Sequence, residues 1–176
     1  MYSGTLNEKL SYNTLIKTIL EFKNKKNIIW IISGEGPIKK LLIEKLSGLN
    51  NVIILPFQSK DKLALWLHLA DIHVIPQKLS VSNLVLPSKL LAILSCCKPV
   101  IGIAKNGSDF GNILDICGIK LDKEDPELLS NAINKLLKNN KLRLRLGIKG
   151  RDYVMKNFEK EIVLDKLYKK IKELII

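Results

Sequence analysis

Short continuous apolar runs alternate with helically spaced apolar positions along most of this 176-residue chain. In Ser11–Phe22, Leu15, Ile19, Leu20 and Phe22 recur at roughly helical spacing. Asn27–Ser33, "NIIWIIS", is apolar on both faces and of strand length, and "GEGP" bounds it. The pattern then predicts a helix over Pro37–Leu46, with Pro37 at its first position, and a strand over Asn51–Phe57. A helix over Lys60–Ala70, a strand over Asp71–Pro76, a helix over Lys89–Ser95 and a strand over Pro99–Ala104 follow. Gly118–Asp122 reads as a short sixth strand, and helices alone are expected over Pro126–Lys138, Lys141–Asn157 and Glu159–Ile175.

Strands apolar on both faces and separated by helices imply a parallel sheet covered on both sides. The fold class expected is α/β: a doubly wound, Rossmann-like sheet of about six strands with C-terminal helices. No repeat or linker divides residues 1–176, so one domain is expected. The opening strand, "MYSG", leaves about three residues before its glycine, where strands average about five or six. We therefore expect the chain to begin inside an element, as a piece of something longer would.

Composition changes this picture only at the margins. At 47% hydrophobic the chain can bury a full core, and no apolar run reaches the roughly 18 residues of a bilayer span. The start lacks a secretory layout. Cys96, Cys97 and Cys117 lack metal-site spacing and read as reduced core thiols, so a cytoplasmic setting is expected. Of the net charge of +12, a net +8 lies from Lys135 to Ile176, where 13 Lys and Arg face 5 Asp and Glu. Such a region suits anionic lipid, phosphate-bearing ligands or plain solvation. No aromatic-basic interleaving supports nucleic acid.

In an open parallel sheet the ligand sits beyond the carboxyl ends of the strands. Those ends are Ser3-Gly4-Thr5, Gly34-Glu35-Gly36, Pro56-Phe57, Pro76-Gln77 with the loop to Pro87, and Gly102 through Ser108. "GEGPIK" has Lys39 where a dinucleotide fingerprint needs a third glycine, and "GIAKNGSD" has Ser108 where a P-loop needs lysine. Ser88 is a good N-cap for the next helix, and Lys89 adds a full charge where a helix start attracts phosphate. Equally, Ser88 could merely cap and Lys89 merely meet solvent. His68 reads as a partly buried helix position and His73 as a core histidine. No carboxylate pair and no nucleophile set converges on these loops.

Six segments in order give the chain a resemblance to the C-terminal half of GT-B glycosyltransferases of the family 4, or group 1, class. They are "YSGTLNEK", "IISGEGP", "NVIILPF" with "LHLADIHVIP", "PSKLLAILSCCKPVIG", "NGSDFGNIL" and "GRDYVMKNFEKEIVLDKLYKKI". The fourth is similar to a variant found in bacterial surface-polysaccharide transferases of the N-acetylfucosamine type. The resemblance implies a half that binds a nucleoside-diphosphate sugar, UDP- or GDP-linked, without a metal ion. Gly4, Thr5, Lys9, Ser88 and Lys89 would then meet the diphosphate. Gly34, Phe57, Gly107, Ser108 and Asp109 would lie near the base or the sugar.

Several positions depart from the family pattern. Thr5 stands where many relatives have arginine, and Leu10 where they have glycine. Leu84 and Ala92 replace the two glutamates, and Cys97 replaces a glycine. The resemblance further implies a separate or missing N-terminal acceptor domain, without which the chain should not transfer sugar. A rival expectation is a non-enzymatic module at an anionic membrane surface, such as the inner face of the plasma membrane, using the basic C-terminal helices. In the last helix Phe158, Ile162, Leu167, Ile171 and Leu174 form an apolar stripe, expected to be exposed from Tyr168 onward.

Overall fold

A computed structural model describes residues 1–84 and 86–175. Six parallel strands form where the apolar runs predicted them: β1 (Tyr2–Ser3), β2 (Trp30–Ser33), β3 (Val52–Leu55), β4 (His73–Ile75), β5 (Val100–Ile103) and β6 (Ile119–Leu121). Their helices are α1 (Tyr12–Glu21), α2 (Lys39–Leu46), α3 (Leu63–His68), α4 (Lys89–Ser95), α5 (Asp109–Cys117), α6 (Pro126–Lys138), α7 (Asn140–Phe158) and α8 (Lys160–Ile175).

The ladders make two three-stranded sheets, β1-β2-β3 and β4-β5-β6. The sheets abut where the Val74 N–H donates to the Met1 carbonyl at 2.9 Å. Read across the seam, the strand order is 3-2-1-4-5-6, and its direction reverses between β1 and β4. That reversal leaves a crevice at the carboxyl ends of β1 and β4, where ligands bind in such sheets. A ladder of about six strands was expected to be continuous. It is interrupted because β1 supplies only Tyr2 and Ser3 for pairing, with Ile32 and Ser33.

Alternation along the strands splits the core in two. Val74, Ile101 and Ile103 join the larger cluster with Leu15, Ile19, Leu42, Leu129 and Leu136 from α1, α2 and α6. Ile75 and Val100 face the other way, toward Leu90, Leu94, Phe110, Leu114 and Val154. Gly102 lets α5 settle onto β5, since a Cβ there would stand 2.4 Å from the Phe110 ring.

Several element edges, and the exposure of α8, differ from the expectations. Asn27–Ile29 lies outside β2, because the β3 ladder begins at Trp30↔Val52. Pro37 is in a turn, and α2 begins at Lys39 behind the helical Ile38. The helix expected over Lys60–Ala70 is a 3₁₀ turn, Lys60–Lys62, followed by the short α3, which leaves His68 exposed. In α8 the exposed apolar side chains begin at Val163, five residues earlier than expected. By contrast α6 begins at Pro126 as predicted, because the Asp125 carboxylate accepts from the N–H groups of Glu127 and Leu128.

Candidate functional site

A cavity of about 430 Å³ occupies the β1/β4 crevice. Its floor and walls come from Tyr2 of β1 with Gly4 and Thr5 after it, Asn7, Lys9 and Leu10 before α1, Ile75 to Gln77 at the end of β4, and Pro87 to Lys89 at the start of α4; Phe57 stands at one side. Gly4, Thr5, Lys9, Ser88, Lys89 and Phe57, six of the ten residues picked from sequence, therefore come together here.

Gly4 is held by its N–H, which donates to the Ser33 carbonyl at 2.8 Å. Its φ of +150° favours glycine, and it also has no room for a side chain. A Cβ built there would lie 2.2 Å from Nζ of Lys89. Gly34 supports this loop from behind rather than lining the cavity: a Cβ on Gly34 would stand 2.0 Å from the Gly4 carbonyl oxygen. The "GEGP" glycines are thus seats for the first loop. The Leu6 N–H donates to the Glu35 carbonyl at 2.9 Å, and the Leu6 carbonyl accepts from the Ile38 N–H at 3.0 Å.

Lys89 is the unusual group. Its ammonium sits 3.9 Å from the centroid of the Tyr2 ring, a cation–π contact, and among the described residues no carboxylate pairs with it. Burial pulls its pKa from the ordinary lysine value down to about 8. The Tyr2 hydroxyl donates to the Thr5 carbonyl at 2.7 Å, fixing the ring beneath the ammonium, and burial pushes its phenol well above the usual range. A partly desolvated cation next to a glycine backbone, in a crevice wide enough for a ligand, is suited to receive an anion.

Ser88 does not cap α4: its backbone is already helical, at φ −55° and ψ −31°, and its side chain makes no capping bond. Proximity to the cavity is what remains of its predicted role. Lys9 is exposed, and its backbone is fixed on both sides, with its N–H donating to Asn7 Oδ1 at 3.1 Å and its carbonyl accepting from the Lys78 N–H at 2.8 Å. Phe57 is half exposed.

Gly107, Ser108 and Asp109 lie outside the cavity lining. Ser108 is buried as the cap of α5, accepting from the Gly111 N–H at 3.1 Å and donating to the Lys105 carbonyl at 2.7 Å. Gly107 has a φ of +76° in open space, and exposed Asp109 begins α5. His73 is buried behind the site, its Nε2 3.0 Å from the Leu67 carbonyl. Burial lowers its pKa to about 3, so it is a neutral core group. Sequence reasoning placed Gln77 at a strand end where a ligand sits but missed Tyr2. A tyrosine in a two-residue strand reads as core, and nothing local announces that a lysine 87 positions later lies over it.

Comparison with known proteins agrees with this fold. The profile described as "Glycosyl transferases group 1" matches residues 1–153. WcaI of Escherichia coli K12, a glycosyl transferase assigned provisionally to colanic acid biosynthesis, is 29% identical over 170 residues. That match takes in 93% of this chain and 40% of the relative, so the chain spans well under half of that protein's length. Among solved structures, the C-terminal domain of the group 1 glycosyl transferase LpcC from Francisella tularensis superposes with a TM-score of 0.72 at 18% identity. That superposition covers 90% of this chain and 85% of the other. Anabaena Alr3699/HepE, solved in complex with UDP-glucose, superposes with a TM-score of 0.77 at 14% identity, over 98% of this chain and 48% of that one. The likeness establishes the fold, that of one half of a GT-B enzyme.

Proposed function

The chain belongs to the group 1 glycosyl transferases, and from that premise we propose that it is the half that holds the nucleoside-diphosphate sugar donor. The observation that carries this is Lys89, a partly buried cation with no carboxylate partner among the described residues, stacked on Tyr2 and pressed against Gly4 in the switch-point cavity. The UDP complexes of Alr3699/HepE support a nucleotide of that kind.

In this proposal the diphosphate lies over Gly4 and Thr5, between Lys89 and Lys9, with Ser88 beside it. Phe57 flanks the base. Gly34 acts through Gly4, and Gly107 to Asp109 form the next loop over, beyond the diphosphate. Transfer breaks the bond between the anomeric carbon and the β-phosphate oxygen as the acceptor oxygen bonds that carbon. Negative charge then grows on the leaving diphosphate, and the two lysines stabilise it without a metal ion. Among the described residues no carboxylate lines the cavity as a base, and in this proposal the acceptor's proton leaves toward a second, acceptor-binding half. The chain alone is therefore expected to bind donor and not to transfer sugar.

The exposed apolar side chains of α8, together with the basic residues of α7 and α8, favour a secondary role at an anionic membrane surface. Among the described residues no helix is long and apolar enough to cross a membrane. Amide NMR titration with UDP tests the principal reading. Shifts concentrated at Gly4–Leu10, Gln77 and Ser88–Leu90 are expected; shifts confined elsewhere, or measurable transfer by the isolated chain, would contradict it.

A further inference from the structure

Resting on the donor-site reading, we propose that Glu124, which lies outside the cavity, is the positioning residue for the wall that carries Lys9. That wall is a small antiparallel ribbon. Leu10 pairs with Gln77, the Ser11 N–H donates to the Pro76 carbonyl at 2.7 Å, and the Lys78 N–H donates to the Lys9 carbonyl at 2.8 Å. Lys9, Leu10, Pro76 and Gln77 of this ribbon all line the cavity. Neither edge of it belongs to the sheets, so something else must fix its outer end.

Glu124 does so with both carboxylate oxygens. Oε2 accepts from the Ser11 hydroxyl at 2.6 Å, and Oε1 accepts from the Leu79 N–H at 2.9 Å. One side chain thus clips the two ribbon strands together just past the cavity. A carboxylate can only accept, so the Ser11 proton is committed to it. Ser11 Oγ also lies 2.9 Å from Thr14 Oγ1, and it makes no capping bond to α1. The Glu124 carbonyl adds a third tie, accepting from Thr14 Oγ1 at 3.1 Å. A fourth runs onward: Ser82 Oγ donates to the Leu79 carbonyl at 3.0 Å and accepts from the Lys105 N–H at 3.1 Å. Glu124 itself is exposed, so losing its carboxylate leaves no core cavity behind.

Calorimetric titration of the whole chain with UDP, in a cycle with Lys9→Ala, tests this. Glu124→Ala should weaken UDP binding roughly fivefold with little change in melting temperature. Glu124→Gln, which keeps an acceptor for Leu79 and offers an amide to Ser11, should stay within about twofold of wild type. In the Lys9→Ala background Glu124→Ala should cost almost nothing further, because its effect acts through Lys9. Should Glu124→Ala fail to fold, Ser11→Ala, which frees only one end of the clip, enters the same cycle. Additive losses, or a glutamine variant as weak as the alanine one, would overturn the role of Glu124. A wild-type chain that binds neither UDP nor GDP would instead sink the donor-site reading beneath it.

Discussion

The ammonium of Lys89 lies against Gly4, so close that a Cβ added to the glycine would stand 2.2 Å from Nζ. The contact joins the first loop of the chain to the start of α4, and it makes Gly4 and Lys89 a single unit. Gly4→Ala should therefore act twice. Its φ of +150° is strained for alanine, and the methyl group must push the ammonium off the Tyr2 ring. We expect about 1–3 kcal/mol lost in chemical denaturation and more than about tenfold lost in UDP affinity.

Lys89 should trade stability for binding. Its folded pKa of about 8 lies below the unfolded value, so the unfolded state holds more protons between about pH 8 and 10.5. Stability from this group thus rises with pH across that window, and the penalty is fully present below it. At 1.36 kcal/mol per pH unit the penalty is at most about 3 kcal/mol. Lys89→Met should raise the unfolding free energy at pH 7 by about 1–3 kcal/mol and abolish the rise between pH 8 and 10.5. Denaturant titrations of both proteins at pH 7 and pH 10 measure this. An unchanged pH dependence would show that Lys89 is not desolvated.

The order of elements was legible because the strands are buried on both faces and so appear as unbroken apolar runs. The start of α6 was legible because Asp125 and Pro126 act locally. What escaped was non-local. Whether Ser88 caps α4 depends on how the loop from β4 delivers the chain, and here it arrives already helical. Asn27 to Ile29 look like strand but lie beyond the end of the β3 ladder. Gly4 and Lys89 line the cavity as the resemblance implied, while Tyr2 and Glu124 make contacts with partners far along the chain. Gly107 to Asp109 carry the right motif, yet Ser108 spends its hydroxyl capping α5.

Cys97 has a φ of +55°, the left-handed conformation that glycine takes past a helix end. Among the described residues it is the one non-glycine with positive φ. Cys97→Gly should raise stability by about 0.5–1 kcal/mol, since relieved strain of about 1–2 kcal/mol outweighs the added freedom of the unfolded chain. The helix α7 packs against this corner through Gly147, where a Cβ would stand 2.0 Å from the Cys97 carbonyl oxygen. Gly147→Ala should cost about 1–3 kcal/mol, and denaturation midpoints of the two variants should move in opposite directions.

The C-terminal helix should be separable from the core. Leu167 is 54% exposed and Leu174 81%, and among the described residues α8 contributes no buried residue to either cluster. An apolar face of this kind is a partner site or an aggregation liability. Truncation after Lys166 should leave the melting temperature of the sheet nearly unchanged and lower the self-association seen by light scattering. Unfolding on truncation would instead show that the helix belongs to this core.

Calorimetric titration of the purified chain with UDP and with GDP, using Lys89→Ala as control, tests the central claim most directly. At least one nucleotide should bind with a dissociation constant below about 1 mM, and the substitution should weaken it by more than about tenfold. Binding of neither nucleotide below millimolar concentration, or equal binding by the variant, would contradict a donor site built around Lys89.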